Sequence, residues 1–530
     1  MKKIFVQITV FLTCFLFTGS VWATTRYIAT TGNDTTGNGT FATPWKTLTK
    51  ATSTASADGD TIIIGDGVYD EASYVQPSRK NLTFLPTTDY GCTIKAASGT
   101  DRVLHLNRIS AGGSQYTFGK IIIDAQNTQV ACISTDGGNT IDTLTFNGTA
   151  LKNPTSFIFN LVKVSNLVMD SEWSTVCTGA AYIRYHQNSA GNCSITNGTA
   201  TVTGATGALV TAIDYGPSVP ACNLVISGNT FNVTTAAAGT PVDGIWASGG
   251  TTYSIFNNTI NINTATTSTA VHVYLHASIS ATACNIYNNN YVSGSGTGGY
   301  GIAVGSDSDT SPSGANTISG VVIYNNQVSK VNHGIFCGWV TGAKVFGNVV
   351  KNGVIGVIGK HTTTSEFSKN IVVGGALTSG GLRSKGGTND VFRENSVFLD
   401  SGKSSYGMNV DAAAVNIIMK NNFIYANDNN ILKLVKVEDT STATFSDNVY
   451  WSGSAPPANA WEYQTVMYQT IAAWQAAGYD VRSVYAKSSP YNSVIDTTSR
   501  AVNSAGIQIS GAPVRNMNPA FGPALNSQKW

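Results

Sequence analysis

From about residue 223 to residue 450 the chain repeats one pattern: an apolar residue, two variable residues, an asparagine, one variable residue and a second apolar residue. It occurs nine times, at Ile226/Asn229/Phe231, Ile255/Asn258/Ile260, Ile286/Asn289/Tyr291, Ile323/Asn326/Val328, Val345/Asn348/Val350, Phe367/Asn370/Val372, Phe392/Asn395/Val397, Met419/Asn422/Ile424 and Phe445/Asn448/Tyr450. Successive asparagines are 29, 31, 37, 22, 22, 25, 27 and 26 residues apart. Helical repeats need an apolar period of 3.6 and few glycines, whereas these units are short β-branched or aromatic runs broken by Gly, Asn, Ser and Thr. A minimum of 22 residues suits one coil of three short parallel strands and three turns, so the spacing predicts a β-solenoid. Asparagine tolerates the left-handed backbone that a sharp turn needs, and its amide can hydrogen-bond the asparagine of the next coil. Nine coils at about 4.8 Å each would run on the order of 40 Å. The wider spacings place inserted loops before Asn326, around SGSGTGG and GSDSDTSPSGAN. Upstream, LTFNGTAL, VKVSNLVMD and CSITNGTATVT read as coils with looser spacing.

An open solenoid end needs covering. Pro44 opens an expected helix over residues 45–57, and a second is expected over 461–477, stopped by Gly478. No Pro-, Ser- or charge-rich linker interrupts the middle of the chain. The organisation expected is therefore a signal over residues 1–23, a β-helix with its N-terminal cap over 24–453, and a C-terminal capping segment over 454–530. Lys2 and Lys3, the apolar run behind them and the small-residue pattern Val21-Trp22-Ala23 carry the signal reading, and with it export to the periplasm or beyond. Only 11% of residues are charged, against about 25% in an average domain. Loss of the signal's two lysines leaves 29 basic against 29 acidic side chains, so global steering toward nucleic acid is disfavoured. No later apolar run reaches about 18 residues, so no membrane span is expected. Seven cysteines remain after Cys14 leaves, too scattered for a disulfide scaffold and read as buried small side chains with one or two bridges at most. A monomer is expected.

The segment YIATTGNDTTGNGTFATPWKTLTKA with GDTIIIGDGVYDE, residues 27–71, resembles the opening of secreted right-handed parallel β-helix proteins of the pectin-lyase-like superfamily. TIAAWQAAGYDVRSV, residues 470–484, is similar to a segment that often closes such helices. With the asparagine pattern, the resemblance spans nearly the whole chain after the signal. It implies an all-β fold, a single right-handed parallel β-helix. That scaffold carries lyases, hydrolases, epimerases, tailspikes and adhesins, so it does not name an activity.

Superposing the Gly-apolar strands between asparagine turns aligns DGIWASG, AVHVYLHA, YGIAVGS, HGIFCGW, IGVIGKH, GGLRSKG, YGMNVDA and NILKLVK. Alternation turns one set of side chains outward. One outward ladder reads Trp246, Tyr274, Ala303, Phe336, Ile358, Arg383, Asn409, Lys433, and the next Ser248, His276, Gly305, Gly338, Lys360, Lys385, Asp411, Val435. Lys360, Arg383, Lys385 and Asp411 should then share one patch, with Trp339 and His361 just beyond. Aromatic residues such as Trp246, Tyr274, Phe336 and Trp339 offer faces for sugar rings, and a basic group can hold carboxylates. That grouping suits β-elimination from a uronic-acid polymer, in which cations neutralise the C6 carboxylate and a base removes the C5 proton. Lys385 beside Lys360 and Arg383 is the candidate base, with Asp411 and His361 as secondary groups.

SKGGTNDVFRENSVF, residues 384–398, resembles the lyase segment of chondroitinase-B-like and alginate-lyase-like β-helices. The resemblance implies that Lys385 is the base. It departs from that pattern in two places: the partner arginine expected one coil later falls near Asn409, and Gly-rich ALTSGGLRS stands where calcium-holding acids would be. Ca2+ is the one candidate cofactor, at Asp307 and Asp309; no nucleotide, flavin, haem or zinc motif competes. A hydrolase is the rival reading. Asp243 with Gly and Ile, His333 in HGIFCG, and Arg383 with Lys385 resemble pieces of the polygalacturonase pattern, but Gly299-Tyr300 stands in place of its acidic pair. A third reading is a glycan-binding or adhesin-type solenoid, in which Asn409, His333 and the aromatic residues only bind. In all three the partner is a polysaccharide or glycan.

Overall fold

The computed structural model describes residues 23–485, apart from 54–55, 107–112, 136–139, 163, 171–173, 179–181, 187–190, 205–209, 216–221, 236–241, 248–251, 264–269, 277–280, 294–298, 308, 310–317, 352–353, 375–379, 400–405, 427–432 and 453–455. The pairs 495–496 and 501–502 are described as well. The expected signal, and most of the two expected insertions, lie outside the described residues.

Each coil contributes one strand to each of three parallel sheets, of 17, 16 and 15 strands among the described residues, and the chain forms a right-handed parallel β-helix. Pairing is in register from coil to coil: Val345 faces Phe367, Val350 faces Val372 and Val357 faces Leu382, one pair from each sheet of two neighbouring coils. Sixteen strands at about 4.8 Å make a column on the order of 70 Å long. Most strands of the first sheet alternate buried and part-exposed residues, as in Thr252–Phe256, while in the second sheet Ser396–Leu399 and Phe423–Ala426 are buried throughout. In the third sheet Ile355–Lys360 is buried along its whole length. A strand buried on both faces has something lying over its outer side. No helix among the described residues is long and apolar enough to cross a membrane.

The asparagine pattern builds one continuous buried ladder. Asn229, Asn258, Asn289, Asn326, Asn348, Asn370, Asn395, Asn422 and Asn448 are all at most 2% exposed. The Oδ1 of Asn395 accepts from both the backbone N–H and the Nδ2 of Asn370, each at 3.0 Å, and Nδ2 of Asn370 also donates to the Val345 carbonyl. The same bonds recur at every step, and Ser483 takes over at the end, its Oγ accepting from the N–H of Asn448 at 2.7 Å. The expectation that these asparagines themselves adopt the left-handed conformation is corrected. It is the residue before each one that does so, namely Gly228, Asn257, Asn288, Asn325, Gly347, Lys369, Glu394, Asn421 and Asp447, with φ between 54° and 67°. The ladder amide has to lie flat under the turn to reach both neighbours, so the bend falls one position earlier.

The ends differ from the expectation in length and kind. The first helix is Leu48–Thr52 only. The Ser/Thr run ends it, because Thr52 Oγ1 bonds back to the Leu48 carbonyl and Ser53 Oγ to the Lys50 carbonyl, competing with the helical pattern. Glu71 fixes it from below by accepting from the N–H groups of Leu48 and Thr49. The expected helix over 461–477 begins as a hairpin, Trp461–Tyr463 against Val466–Tyr468, turning through Gln464 and Thr465 at φ 46° and 72°. Its alternating aromatic and apolar residues extend the third sheet, with Trp461 pairing with Val435. Helix follows only at Ile471–Ala476, where Trp474 is fully buried against Phe445 and Gly478 at φ 84° ends the run. Parallel pairing continues to Val484–Tyr485, past residue 453. Cys92, Cys132, Cys177, Cys284 and Cys337 are buried and free, and Cys193 is buried. Burial pushes the Cys284 thiol up to about 12.

Asn370→Ala would strand the Val345 carbonyl and the donors of Asn348, and should cost about 3 kcal/mol or more by urea unfolding. Asn192→Ala, in an exposed amide ladder, should cost under about 0.5 kcal/mol. Asp390 is buried, accepts from Ser365 N–H at 2.9 Å and Thr362 Oγ1 at 2.6 Å, and is pushed up to about 6 by its burial. The unfolded carboxyl titrates near 4, so its contribution is full below that and declines as the pH rises through about 6. The stability of Asp390→Asn relative to the native chain should therefore rise between roughly pH 4 and 7, by on the order of 3 kcal/mol.

Candidate functional site

A column of glycines makes the third sheet possible. At Gly356 an added Cβ would lie 2.3 Å from the Gly381 carbonyl oxygen and 2.5 Å from Val372, so only hydrogen fits at the corner where the chain passes from the second sheet to the third. Gly301, Gly334, Gly381 and Gly407 repeat the arrangement, which explains the Gly-apolar motif of the sequence. Just before these glycines Tyr300 faces His333, and beyond them run the two outward ladders.

The register confirms most of both ladders. Trp246, Tyr274, Ala303, Phe336, Ile358, Arg383 and Asn409 follow one another from coil to coil, as do His276, Gly305, Gly338, Lys360, Lys385 and Asp411. The last rung is corrected by three positions. Asn409 faces Lys436, while Lys433 faces Tyr406 and Val435 faces Met408. The side chains of Asp243 and His276 lie outside the described part of the structure.

The ladders do not form an open basic patch. Lys360 is only 4% exposed, and its Nζ donates to Asp307 Oδ1 at 2.7 Å, lies 3.1 Å from Asp309 Oδ1 and also meets the Asp307 carbonyl. Lys385 Nζ donates to the same Asp309 oxygen at 2.6 Å. Arg383 Nε donates to Asp411 Oδ2 at 3.0 Å, and Asn409 Nδ2 approaches that oxygen at 3.4 Å. Farther along, Lys436 pairs with Glu438 at 2.7 Å and lies over the Tyr406 ring, and Lys433 pairs with Glu462. Each cation of this face thus meets a carboxylate. Asp307 and Asp309, expected as calcium ligands, are turned onto lysines. Among the described residues no three His, Cys, Asp or Glu gather where they could hold a metal, and calcium asks for six to eight oxygens, so these two carboxylates alone do not fit it.

The carboxylates are driven apart in acidity. Burial pulls Asp411 above the usual carboxylate range, against the pull of Arg383. Burial also pulls Asp307 upward, but hydrogen bonds from Lys360 and Tyr300 outweigh it and hold the group below that range. Exposed Asp309 is held down to about 2 by Lys385 and then Lys360. Tyr300 donates to Asp307 Oδ2 at 2.5 Å, and burial keeps its hydroxyl protonated. Its ring stacks on His333 with centroids 4.5 Å apart. Burial lowers the His333 pKa, Asp307 opposing, and its Nδ1 is buried without a hydrogen-bond partner. His361 is likewise lowered by burial and then by Lys360.

Of the aromatic residues expected to carry sugar, Trp246 and Tyr274 are half-buried, but Phe336 is 2% exposed in a small cluster with Ala303, Ile355 and Ile358 under Tyr274 and Tyr300. Its ring is covered, so it is no platform. Trp339 and His361 stack at 4.3 Å beside the ladders, both in the left-handed conformation at φ 56° and 51°. A bulky residue there is uncommon and held by its surroundings. Tyr300 was passed over in the sequence as a gap in an acidic motif. Its position directly before the corner glycine, matching His333, was the available signal. A further aromatic row, Phe256, Tyr287, Tyr324 and Phe346, lies on the first sheet with near-parallel rings 4.8 to 5.2 Å apart. The rings cover one another's faces, which leaves mainly edges for any ligand.

A family model described as protein of unknown function, DUF1565, matches residues 30–76, in the N-terminal cap and first strands. No curated protein matches the chain. Among solved structures, a XylC complex with xylose is similar at 12% identity and TM-score 0.32, over 84% of this chain and 86% of that one. The periplasmic alginate epimerase AlgG is similar at 15% identity and TM-score 0.34, over 65% and 77%. The A-module of the Azotobacter vinelandii mannuronan C-5 epimerase AlgE6 is similar at 12% identity and TM-score 0.27, over 81% and 91%.

The buried imidazoles give a measurable signature. Followed by NMR, His333 and His361 should both titrate below 6.5, leaving neutral rings at pH 7. Asp307→Asn should move the His333 midpoint lower still, because Asp307 is the charge that opposes its fall.

Proposed function

We propose that this chain is an exported β-helix protein that binds an acidic polysaccharide along the outer face of its third sheet and cleaves it by β-elimination. The observation that carries the reading is the convergence, on adjacent coils, of three cations with a neutral histidine and a protonated tyrosine. Removal of a C5 proton needs the neighbouring C6 carboxylate neutralised and a base that is uncharged at working pH. Lys360, Lys385 and Arg383 supply the positive charge. His333 is the proposed base: its ring, stacked on Tyr300, is neutral at pH 7. The Lys385 ammonium that donates to Asp309 has no lone pair with which to accept a proton, so the base role expected of Lys385 passes to His333, and Lys385 becomes a carboxylate-binding group. Tyr300, protonated and in ring contact with His333, is placed to return a proton to the departing glycosidic oxygen. Half-buried Trp246 and Tyr274 extend the path of the sugar chain on the N-terminal side.

A hydrolytic reading rests on a different observation: Asp411 is pushed up while Asp307 and Asp309 are held down, the divergence that separates an acid from a base. The two reactions leave different ends.

Incubation with pectate, alginate and glycosaminoglycans should produce the ultraviolet absorbance of unsaturated uronate ends. His333→Ala should lower kcat by roughly 100-fold or more, while Lys385→Ala should mainly raise KM. New reducing ends without that absorbance would transfer the assignment to the hydrolase. Binding without either product would reduce the face to a glycan-binding surface.

A further inference from the structure

We propose that Asp307 and Asp309 are built-in competitors for the carboxylates of the substrate, and that they make this face selective for polymers over short uronates. The inference rests on the reading of the third-sheet face as an acidic-polysaccharide site.

Gly305 is the last residue of its strand and faces Gly338, which faces Lys360, which faces Lys385. Ser306 N–H then donates to the Gly338 carbonyl at 3.2 Å, Asp307 reaches Lys360 and Asp309 reaches Lys385. Side chains just after this strand thus reach lysines two and three coils onward along the axis of the helix. From the coil of Gly305 to that of Lys385 is three steps, about 14 Å. A polysaccharide bound across the coils would follow the same line, and its carboxylates would seek the same two ammonium groups.

The chemistry of the contacts suits displacement rather than permanent structure. The two aspartate side chains are 58% and 63% exposed; the pair of Asp309 with part-exposed Lys385 is the weaker hold, and the pair of Asp307 with buried Lys360 the firmer one. The tether nevertheless gives each carboxylate an effective concentration of the order of millimolar. A free uronate or short oligomer with few carboxylates must outcompete that concentration at each lysine separately. A polymer presents many carboxylates on one chain, and after the first lysine is won the second exchange is itself intramolecular. Exchange at Lys360 also frees the hydroxyl of Tyr300, which Asp307 otherwise holds.

The test compares the native chain, Asp309→Asn and Asp307→Asn/Asp309→Asn in titration calorimetry with pectate, alginate, and the trimers prepared from each. Thermal melts check that the variants fold; Asp309 is exposed, so its single variant is the safer of the two. For the polymer that the native chain binds, the double variant should bind the matching trimer roughly tenfold tighter and the polymer within about twofold of native. Unchanged or weaker trimer binding by both folded variants, with polymer binding intact in the native chain, would overturn the competitor role alone. Failure of every variant and of the native chain to bind either polymer would overturn the face reading and this inference together.

Discussion

The distance from one hydrogen-bonded coil to the next, about 4.8 Å, decides what every side chain of this protein can meet. Because the sheets pair in register, a residue's principal neighbour is its counterpart one coil away. Amides so placed share protons, as in the buried asparagine ladder; rings stack, as in Phe367 on Phe392 at 4.5 Å; and glycines leave room for the carbonyl of the next corner. The interior therefore holds together through rows rather than through a single packed centre. Each row is only as regular as the turns that keep the coils the same length.

The same constraint shapes the electrostatics of the third sheet. Ladders that put Lys360 beside Lys385 would leave two like charges at coil spacing on a largely buried strand, and repulsion in a poorly solvated place is costly. The chain answers with carboxylates from elsewhere: Asp411 from the next coil, Asp307 and Asp309 from the segment that crosses over. In a protein where charged residues are scarce, this concentration of opposite charges under partial burial separates the acidities of chemically identical groups. The face thus gathers three cations and three carboxylates and is neutral in its sum.

Much of this was legible in the sequence, and the limits have physical causes. The asparagine spacing pointed to the coil, and the Gly-apolar strands to the register over seven successive coils, because both motifs answer to local turn geometry. The register slipped at Lys433, in a strand without the glycine that anchors most of the others. The left-handed turn position was misplaced by one residue because Lys369 and Glu394 adopt it without advertising it by type. Helix was over-read at residues 461–477, where tertiary pairing with Val435 overrides the run's local appearance. The site residues were found by alternation, but alternation cannot show that Phe336 is covered, that Tyr300 lies against His333, or that two aspartates over 50 residues upstream of the lysines fold onto them. Those relations exist only after the segment following Gly305 crosses the sheet.

The two ends of the column carry a wider consequence. In-register parallel stacking with identical residues aligned in rows is also the geometry of amyloid, in which growth has no built-in end. Here one short helix over Trp45 and Leu48, and at the far end an antiparallel hairpin with Trp474 seated on Phe445, convert an arrangement that would otherwise template further copies of itself into an object of fixed length. The antiparallel strand does so most directly: it reverses the chain where the next parallel rung would add. A cleavage that removed the antiparallel hairpin would expose a parallel edge of the third sheet able to accept further strands, and would change how the protein associates and not merely its stability.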